Sequence, residues 1–246
     1  METFAREHRQ AVENHGEHRA AVIIGCVLAF LSAGVNACYV TGIGTSVSHL
    51  TGDVSKVALD ITLSSDALST ALVRLIAATL GFVGGAMTAG FLIHHPVMSF
   101  SRPYGRSLVG IGCCLLLAQS MLKGSPALSV MLAGAACGFQ NALATHYRGM
   151  VLRTTHVTGI LTDLGSSLGM LLRGHRMASW KLWVPACLVS AFFLGSVAGC
   201  AAFITLGMTA MLFYSVAYML LGAGWGCHKH SFLAGKQPQP PHEDRS

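Results

Sequence analysis

The stretch AVIIGCVLAFLSAGVNACYVT, residues 21–41, contains no charged residue. In hydrocarbon such a segment must satisfy its own peptide groups as a helix, and about 20 residues suffice to cross a bilayer. Further apolar segments follow at residues 71–93, 107–122, 127–144, 183–206 and 208–224. The sequence therefore predicts an all-α protein, built as a polytopic transmembrane helical bundle.

The composition favours the same class. Hydrophobic residues make up 52% of the 246 residues and charged residues only 11%, with a mean hydropathy of +0.57. Soluble domains carry about 25% charged residues. The basic residues behind the net charge of +6 are scattered among loops and tails, so we predict no nucleic-acid partner. The eight cysteines have no C-x-x-C spacing, and most lie in apolar runs, as small buried apolar side chains do.

Two shorter segments, residues 50–63 and 157–172, decide the number of crossings. The first contains Asp53, Lys56 and Asp60, which are costly at the bilayer centre unless they face protein or water. We therefore favour about six crossings plus two short half-helices, with eight crossings as the alternative. With a cytoplasmic N-terminus, either topology leaves most basic residues inside, in agreement with the positive-inside rule.

The predicted organisation has three parts. Residues 1–19 form a cytoplasmic N-terminal arm, residues 20–225 the transmembrane domain, and residues 226–246 a disordered cytoplasmic tail containing the Pro- and Gln-rich residues 237–241. The expected location is the cytoplasmic (inner) membrane, as a multi-pass protein with both termini cytoplasmic.

The transmembrane domain contains an internal repeat. Asn36-Ala37 recurs 105 residues later, the pattern His-x-Thr-Gly at residues 49–52 recurs after 107, and Phe-x-Gly at residues 82–84 recurs after 111. Three ordered matches predict a duplicated unit, with repeats at about residues 20–123 and 124–225. The Gly-x-x-x-Gly patterns at residues 81–85 and 195–199 are typical of close helix packing.

Each copy of the motif places polar side chains at the start of a short helix. Such a helix directs the positive end of its dipole into the protein. His49 and Asp53 are four residues apart, and His156 and Asp163 seven, so we expect each pair to share a helix face. The predicted substrate- or proton-binding site lies between the two halves. It consists of Asn36, His49, Thr51, Asp53, Asn141, His156, Thr158 and Asp163.

A structural interpretation of these residues stands beside the functional one. Asn36 and Asn141 also suit hydrogen bonds between helices, and the two histidines suit packing or an interfacial position. The loop pair His94-His95 and the tail histidines lack a carboxylate or cysteine at ligand spacing, so we predict no metal site. We also predict no cofactor and no catalytic residue.

The two motifs carry a resemblance. Gln-Asn-Ala at residues 140–142, followed by Thr-Thr-x-x-Thr-Gly at residues 154–159, resembles the YoaK-like family of bacterial membrane proteins, domain of unknown function 1275. The likeness extends over about residues 20–222, and Asp53 stands where that family more often has asparagine. The resemblance implies a membrane location and no particular activity.

The leading functional hypothesis is a small-solute transporter or permease with a proton-linked His/Asp site at the repeat interface. One alternative is a membrane-embedded enzyme on a lipid or lipid-linked substrate, with His49 and Asp53 as acid and base. The other is a non-catalytic scaffold or partner subunit. The balance favours a protein that is not an enzyme. The expected partners are the lipid bilayer and an unknown small solute, and a homo-oligomer is left open.

Overall fold

The computed structural model describes residues 2–63, 68–93, 104–143 and 155–234, with side-chain environments for residues 19–225 of these ranges. All regular structure in them is helical, so the all-α prediction is confirmed. The helices are α1 (Glu2–Ile43), α2 (Leu50–Thr62), α3 (Leu68–Ile93), α4 (Tyr104–Met121), α5 (Pro126–Leu143), α6 (Val157–Leu172), α7 (Trp180–Leu206) and α8 (Ala210–Ala234). Each coincides with a helical segment predicted from the sequence, to within a few residues except at the start of α1 and the end of α8.

Two helix ends differ from the predicted organisation. Helix α1 begins at Glu2, so the arm before Arg19 continues the first apolar helix. Helix α8 ends at Ala234, so the first part of the tail assigned to disorder is helical. Residues 235–246 lie outside the described residues.

Within the described residues, four stretches are long and apolar enough to cross a membrane. They are Arg19–Ile43, Leu68–Ile93, Pro126–Leu143 and Trp180–Trp225, of which the last contains α7, a 3-10 turn at Gly207–Thr209 and most of α8. Helix α4 packs against α5 and α8, and its inward face is apolar. The helical, apolar architecture is that of a membrane protein.

Glycine-lined contacts set the directions of two helix pairs. Added Cβ atoms at Gly81 and Gly85 of α3 would collide with the backbone of Met131 and Ala135 in α5. The contacts advance together along both helices, so α3 and α5 run parallel. In the same way Gly195 of α7 meets Phe30 of α1, and Gly199 meets Gly34, so α1 and α7 also run parallel. The predicted use of these glycines in close packing is confirmed.

The third large contact has the opposite sense. Gly112 of α4 approaches Ser215 and Met219 of α8, whereas Gly105, earlier in α4, approaches Gly222, later in α8. The contact moves forward along one helix as it moves backward along the other. Helices α4 and α8 are therefore antiparallel.

A few buried polar groups tie these helices together. The Gln140 amide nitrogen in α5 donates to the Leu28 carbonyl oxygen of α1 at 3.0 Å, and the Tyr218 hydroxyl of α8 donates to the Gln140 side-chain oxygen. The Tyr39 hydroxyl shares a 2.8 Å hydrogen bond with the Ser129 hydroxyl. Buried polar groups need such partners, so these bonds fix how α1, α5 and α8 meet.

Candidate functional site

The chain reverses direction where α1 ends. Gly44 has a left-handed φ of +77°, and its N–H donates to the carbonyl oxygens of Tyr39 (3.1 Å) and Val40 (3.0 Å). This arrangement is a common way to end a helix, and glycine adopts the conformation without steric cost. The following residues are therefore free to fold back toward the bundle.

Asn36 holds that returning loop against α1. Its side-chain oxygen accepts hydrogen bonds from the Ser46 hydroxyl (2.7 Å), the Val47 N–H (3.0 Å) and the Ser48 N–H (3.2 Å). Asn36 precedes the end of α1 at Ile43 by about two turns, or roughly 10 Å along the axis. The loop thus carries the start of α2 inward, deeper than the end of α1.

Helix α2 then runs back outward. The Lys56 ammonium donates to the Gly44 carbonyl oxygen at 3.1 Å, and Arg74 of α3 donates to the Ile43 carbonyl oxygen at 2.6 Å. Both cations therefore lie at the C-terminal end of α1, where carbonyl groups lack helical partners and the dipole is negative. Since Lys56 lies at that level, the start of α2 is its inner end.

The second copy of the motif uses the same kind of contact. The Thr155 hydroxyl donates to the Asn141 side-chain oxygen at 2.7 Å, just before α6 begins at Val157. The residues before the two short helices, His49 and His156, have similar backbone angles (φ −117°, ψ 63° and φ −88°, ψ 65°). Residues 144–154 lie outside the described residues, so the chain is followed here from Thr155 onward.

His49 and His156 bring the starts of α2 and α6 close together. The His49 ring contacts Phe192 edge-on, with ring centroids 5.1 Å apart, and Phe192 lies near the middle of α7. Burial lowers the pKa of His49, and the nearby positive charge of protonated His156 lowers it further. His49 thus lies at about half the length of α7, and the start of α6 lies near enough for its charge to act on His49.

Several polar atoms at this meeting point lack partners among the described residues. They are the Ser48 hydroxyl, the His49 Nε2 and the Asn141 side-chain nitrogen. Ser48 and Asn141 are each only 8% exposed. A buried polar atom without a hydrogen bond costs free energy, so each of these atoms has the capacity to bind a water molecule or a solute.

Asp53 organises the loop before α2. Its carboxylate accepts the Ser46 N–H at 2.7 Å. Burial raises the pKa of Asp53, while the Ser46 hydrogen bond and the charge of Lys56 act in the opposite direction. Within the described residues no hydrogen bond joins Asp53 to His49, so these side chains are not arranged as an acid–base pair.

Three predicted site residues lie apart from this cluster. Thr51, Thr158 and Asp163 are exposed. The backbone carbonyl groups of the two threonines accept hydrogen bonds from hydroxyls four residues later, at Ser55 and Thr162. The geometry therefore brings together Asn36 with the α2 loop and Asn141 with the α6 loop, and it brings His49 near His156.

Some residues that shape this site were not among the predicted site residues. Ser46, Ser48 and Thr155 belong to the Ser/Thr-rich runs before each short helix, so the repeat itself marked them. Phe192 gave no signal, because its role depends on which helix packs beside the loop. Among the described residues no three His, Cys, Asp or Glu side chains are grouped so as to hold a metal ion.

The apolar spans and the two inward-starting short helices define a polytopic helical membrane protein. A family model described as "Protein of unknown function (DUF1275)" matches residues 24–224. The chain belongs to this family, and the resemblance carried by its two motifs is confirmed. Neither the curated proteins nor the solved structures contain a match.

Proposed function

We propose that this protein is a small-solute permease of the cytoplasmic membrane, with its site where the starts of α2 and α6 meet. One observation carries the proposal. The His49 ring lies against Phe192 at mid-length of the spanning helix α7 and close to His156. Short helices that begin at mid-depth, with polar residues at their inner ends, are the usual construction of binding sites in secondary transporters.

Helix directions support six crossings over eight. If every helix from α1 to α8 crossed in turn, α4 and α8 would run parallel, but their glycine contacts are antiparallel. If α2 and α6 do not cross, α4 is the third crossing and α8 the sixth, so they run in opposite directions. The same count makes α1 parallel to α7 and α3 parallel to α5, as their contacts require.

The contacts also support a duplicated, inverted unit. Gly85 of α3 meets Ala135 of α5, and Gly195 of α7 meets Phe30 of α1. Ala135 follows Phe30 by 105 residues, the same spacing that separates Asn36 from Asn141. With three crossings in each half, the second half is inverted in the membrane. The two half-helices then approach the shared site from opposite sides.

A proton-linked mechanism follows from the paired histidines. Histidine titrates near neutral pH, and two neighbouring rings disfavour carrying two charges at once. One proton shared by the pair would change the charge at the proposed site. The unsatisfied atoms of Ser48, His49 and Asn141 are available to a passing solute.

Flux through reconstituted protein tests the proposal. Liposomes containing the full chain are challenged with urea, glycerol, sodium nitrate and sodium formate, and influx is followed by light scattering and an internal pH dye. We expect permeation of at least one solute and its loss in a His49→Ala/His156→Ala variant. The exposed Asp163→Asn is the matched control and should retain wild-type flux. Folded protein that passes none of these solutes would refute the proposal.

A further inference from the structure

We infer that the α6 side of this site binds a small monoanion, such as an inorganic anion or a short carboxylate. The inference rests on the proposed function for its location and adds the chemical class of the solute. It follows from a difference between the two half-helices in the groups they offer at their inner ends.

Among the described residues, no negative charge lies in the first turn of α6, whose Val157 N–H donates to the Thr155 carbonyl oxygen at 3.1 Å. Helix α6 has no acidic residue in its first turn, and the His156 side chain makes no capping hydrogen bond to it. The first N–H groups of a helix have no partner within the helix, and the dipole favours negative charge there. Helix N-termini of this kind bind anions.

Asn141 supplies an independent observation. Its oxygen is occupied by the Thr155 hydroxyl, which fixes the amide beside the residues that open α6. Its nitrogen is buried and has no partner among the described residues. An amide N–H is a donor only, so the group it lacks is an acceptor.

Helix α2 offers a less suitable end. Asp53 lies in its first turn and places a carboxylate beside the positive end of that dipole. The same carboxylate occupies the Ser46 N–H. Lys56 lies one turn further on and is bound to Gly44, so it offsets the charge without reaching the inner end. An anion is therefore favoured near α6 and not near α2.

An isosteric substitution tests this assignment. Asn141→Asp keeps an oxygen for Thr155 and replaces the donor nitrogen with a second acceptor. Gln119→Glu, in the last turn of α4, makes the same chemical change elsewhere and is the control. Asn141→Ala serves as a second variant in case the buried carboxylate prevents folding.

Anion binding is measured as the shift in Tm of purified full-length protein in sodium nitrate or sodium formate, relative to sodium gluconate at equal ionic strength. We expect both small anions to raise the Tm of the wild type and of Gln119→Glu. Asn141→Ala should weaken the apparent affinity by about tenfold, because a charge-assisted hydrogen bond is lost. Asn141→Asp should weaken it by more, because a second acceptor oxygen also takes the place of the donor nitrogen. Flux of the same anions is measured in liposomes.

The two measurements separate the failures. Anion binding that Asn141→Ala weakens, without flux of any solute, supports the anion site and refutes the permease. Flux of urea or glycerol without anion binding or anion flux supports the permease and refutes the anion site. Equal nitrate and gluconate stabilisation, or an Asn141→Ala response identical to that of Gln119→Glu, refutes the anion site as well.

Discussion

The starts of α2 and α6 differ in the charge of their first turns, since Asp53 lies in the first turn of α2 and no acidic residue lies in that of α6. Before α2, the Asn36 oxygen accepts three hydrogen bonds and Asp53 accepts a fourth from the same loop. Before α6, where residues 144–154 lie outside the described residues, the Asn141 oxygen accepts the Thr155 hydroxyl and its nitrogen is unpartnered, and the first turn of α6 contains no acidic residue. Two copies of one sequence motif can therefore have different roles. The first copy fixes a loop, and in our proposal the second leaves the Asn141 nitrogen as a donor for a solute.

The largest expected effect is a loss of stability when the hydrogen bonds that hold the loop before α2 are removed. Asn36→Ala removes the acceptor of three donors, so the free energy of unfolding should fall by about 3 kcal/mol. Asn141→Ala removes the acceptor of one donor and should cost about 1 kcal/mol. Both are measured by unfolding purified protein in mixed micelles with increasing sodium dodecyl sulfate. A loss of less than about 1 kcal/mol in Asn36→Ala would contradict the role of its three hydrogen bonds.

Substitutions of Asp53 test the hydrogen bond and the charge that distinguish the start of α2. Asp53→Ala leaves the Ser46 N–H without its acceptor and should cost about 1–2 kcal/mol. Asp53→Asn retains an oxygen for that N–H, so its stability should stay within about 0.5 kcal/mol of the wild type. Because Asp53→Asn also removes a negative charge, it should increase nitrate influx severalfold. Unchanged or slower influx would show that the carboxylate does not oppose the anion.

The hydroxyl of Thr155 tests the weaker loop directly. Thr155→Val keeps the shape of the side chain and removes the donor to Asn141, which should cost about 1 kcal/mol. Thr155→Ser keeps the hydroxyl and is the matched control. Both are compared by the same unfolding measurement, and a Thr155→Ser variant as unstable as Thr155→Val would argue that packing, not the hydrogen bond, matters here.

The smallest expected effect is the change of nitrate influx with pH. Burial and the charge of His156 lower the pKa of His49 below its usual 6.5, so His49 gains its proton only as the pH falls below that value. Asp53 has a raised pKa and loses its negative charge in the same direction. Lys56 is the neighbouring basic residue on α2, and α7 contributes the uncharged Phe192 ring. Nitrate influx should therefore rise severalfold between pH 7 and pH 5, and His49→Gln should flatten that rise.

The sequence was most informative where physics acts locally. Long uncharged segments must form helices in lipid, because their peptide groups can find hydrogen-bond partners only within the segment. Each predicted helical segment coincides with an observed one. The repeated motif also pointed to Asn36, His49, Asn141 and His156, because their spacing recurs. Helical spacing could not relate His49 to Asp53, because His49 precedes α2 and its backbone is not helical. The contact with Phe192 depends on long-range packing, which no local pattern encodes.

The glycine contacts have a consequence for how the chain matures. Helix α1 finds its partner in α7, α3 in α5, and α4 in α8, so each large contact joins one half of the chain to the other. When the ribosome has made the first half, the glycine-lined packing surfaces of its helices have no partner helix. They gain their partners only when the second half has been made. The halves are interlocked and not merely adjacent. Two fragments separated between α4 and α5 should therefore survive in a cell only when they are produced together.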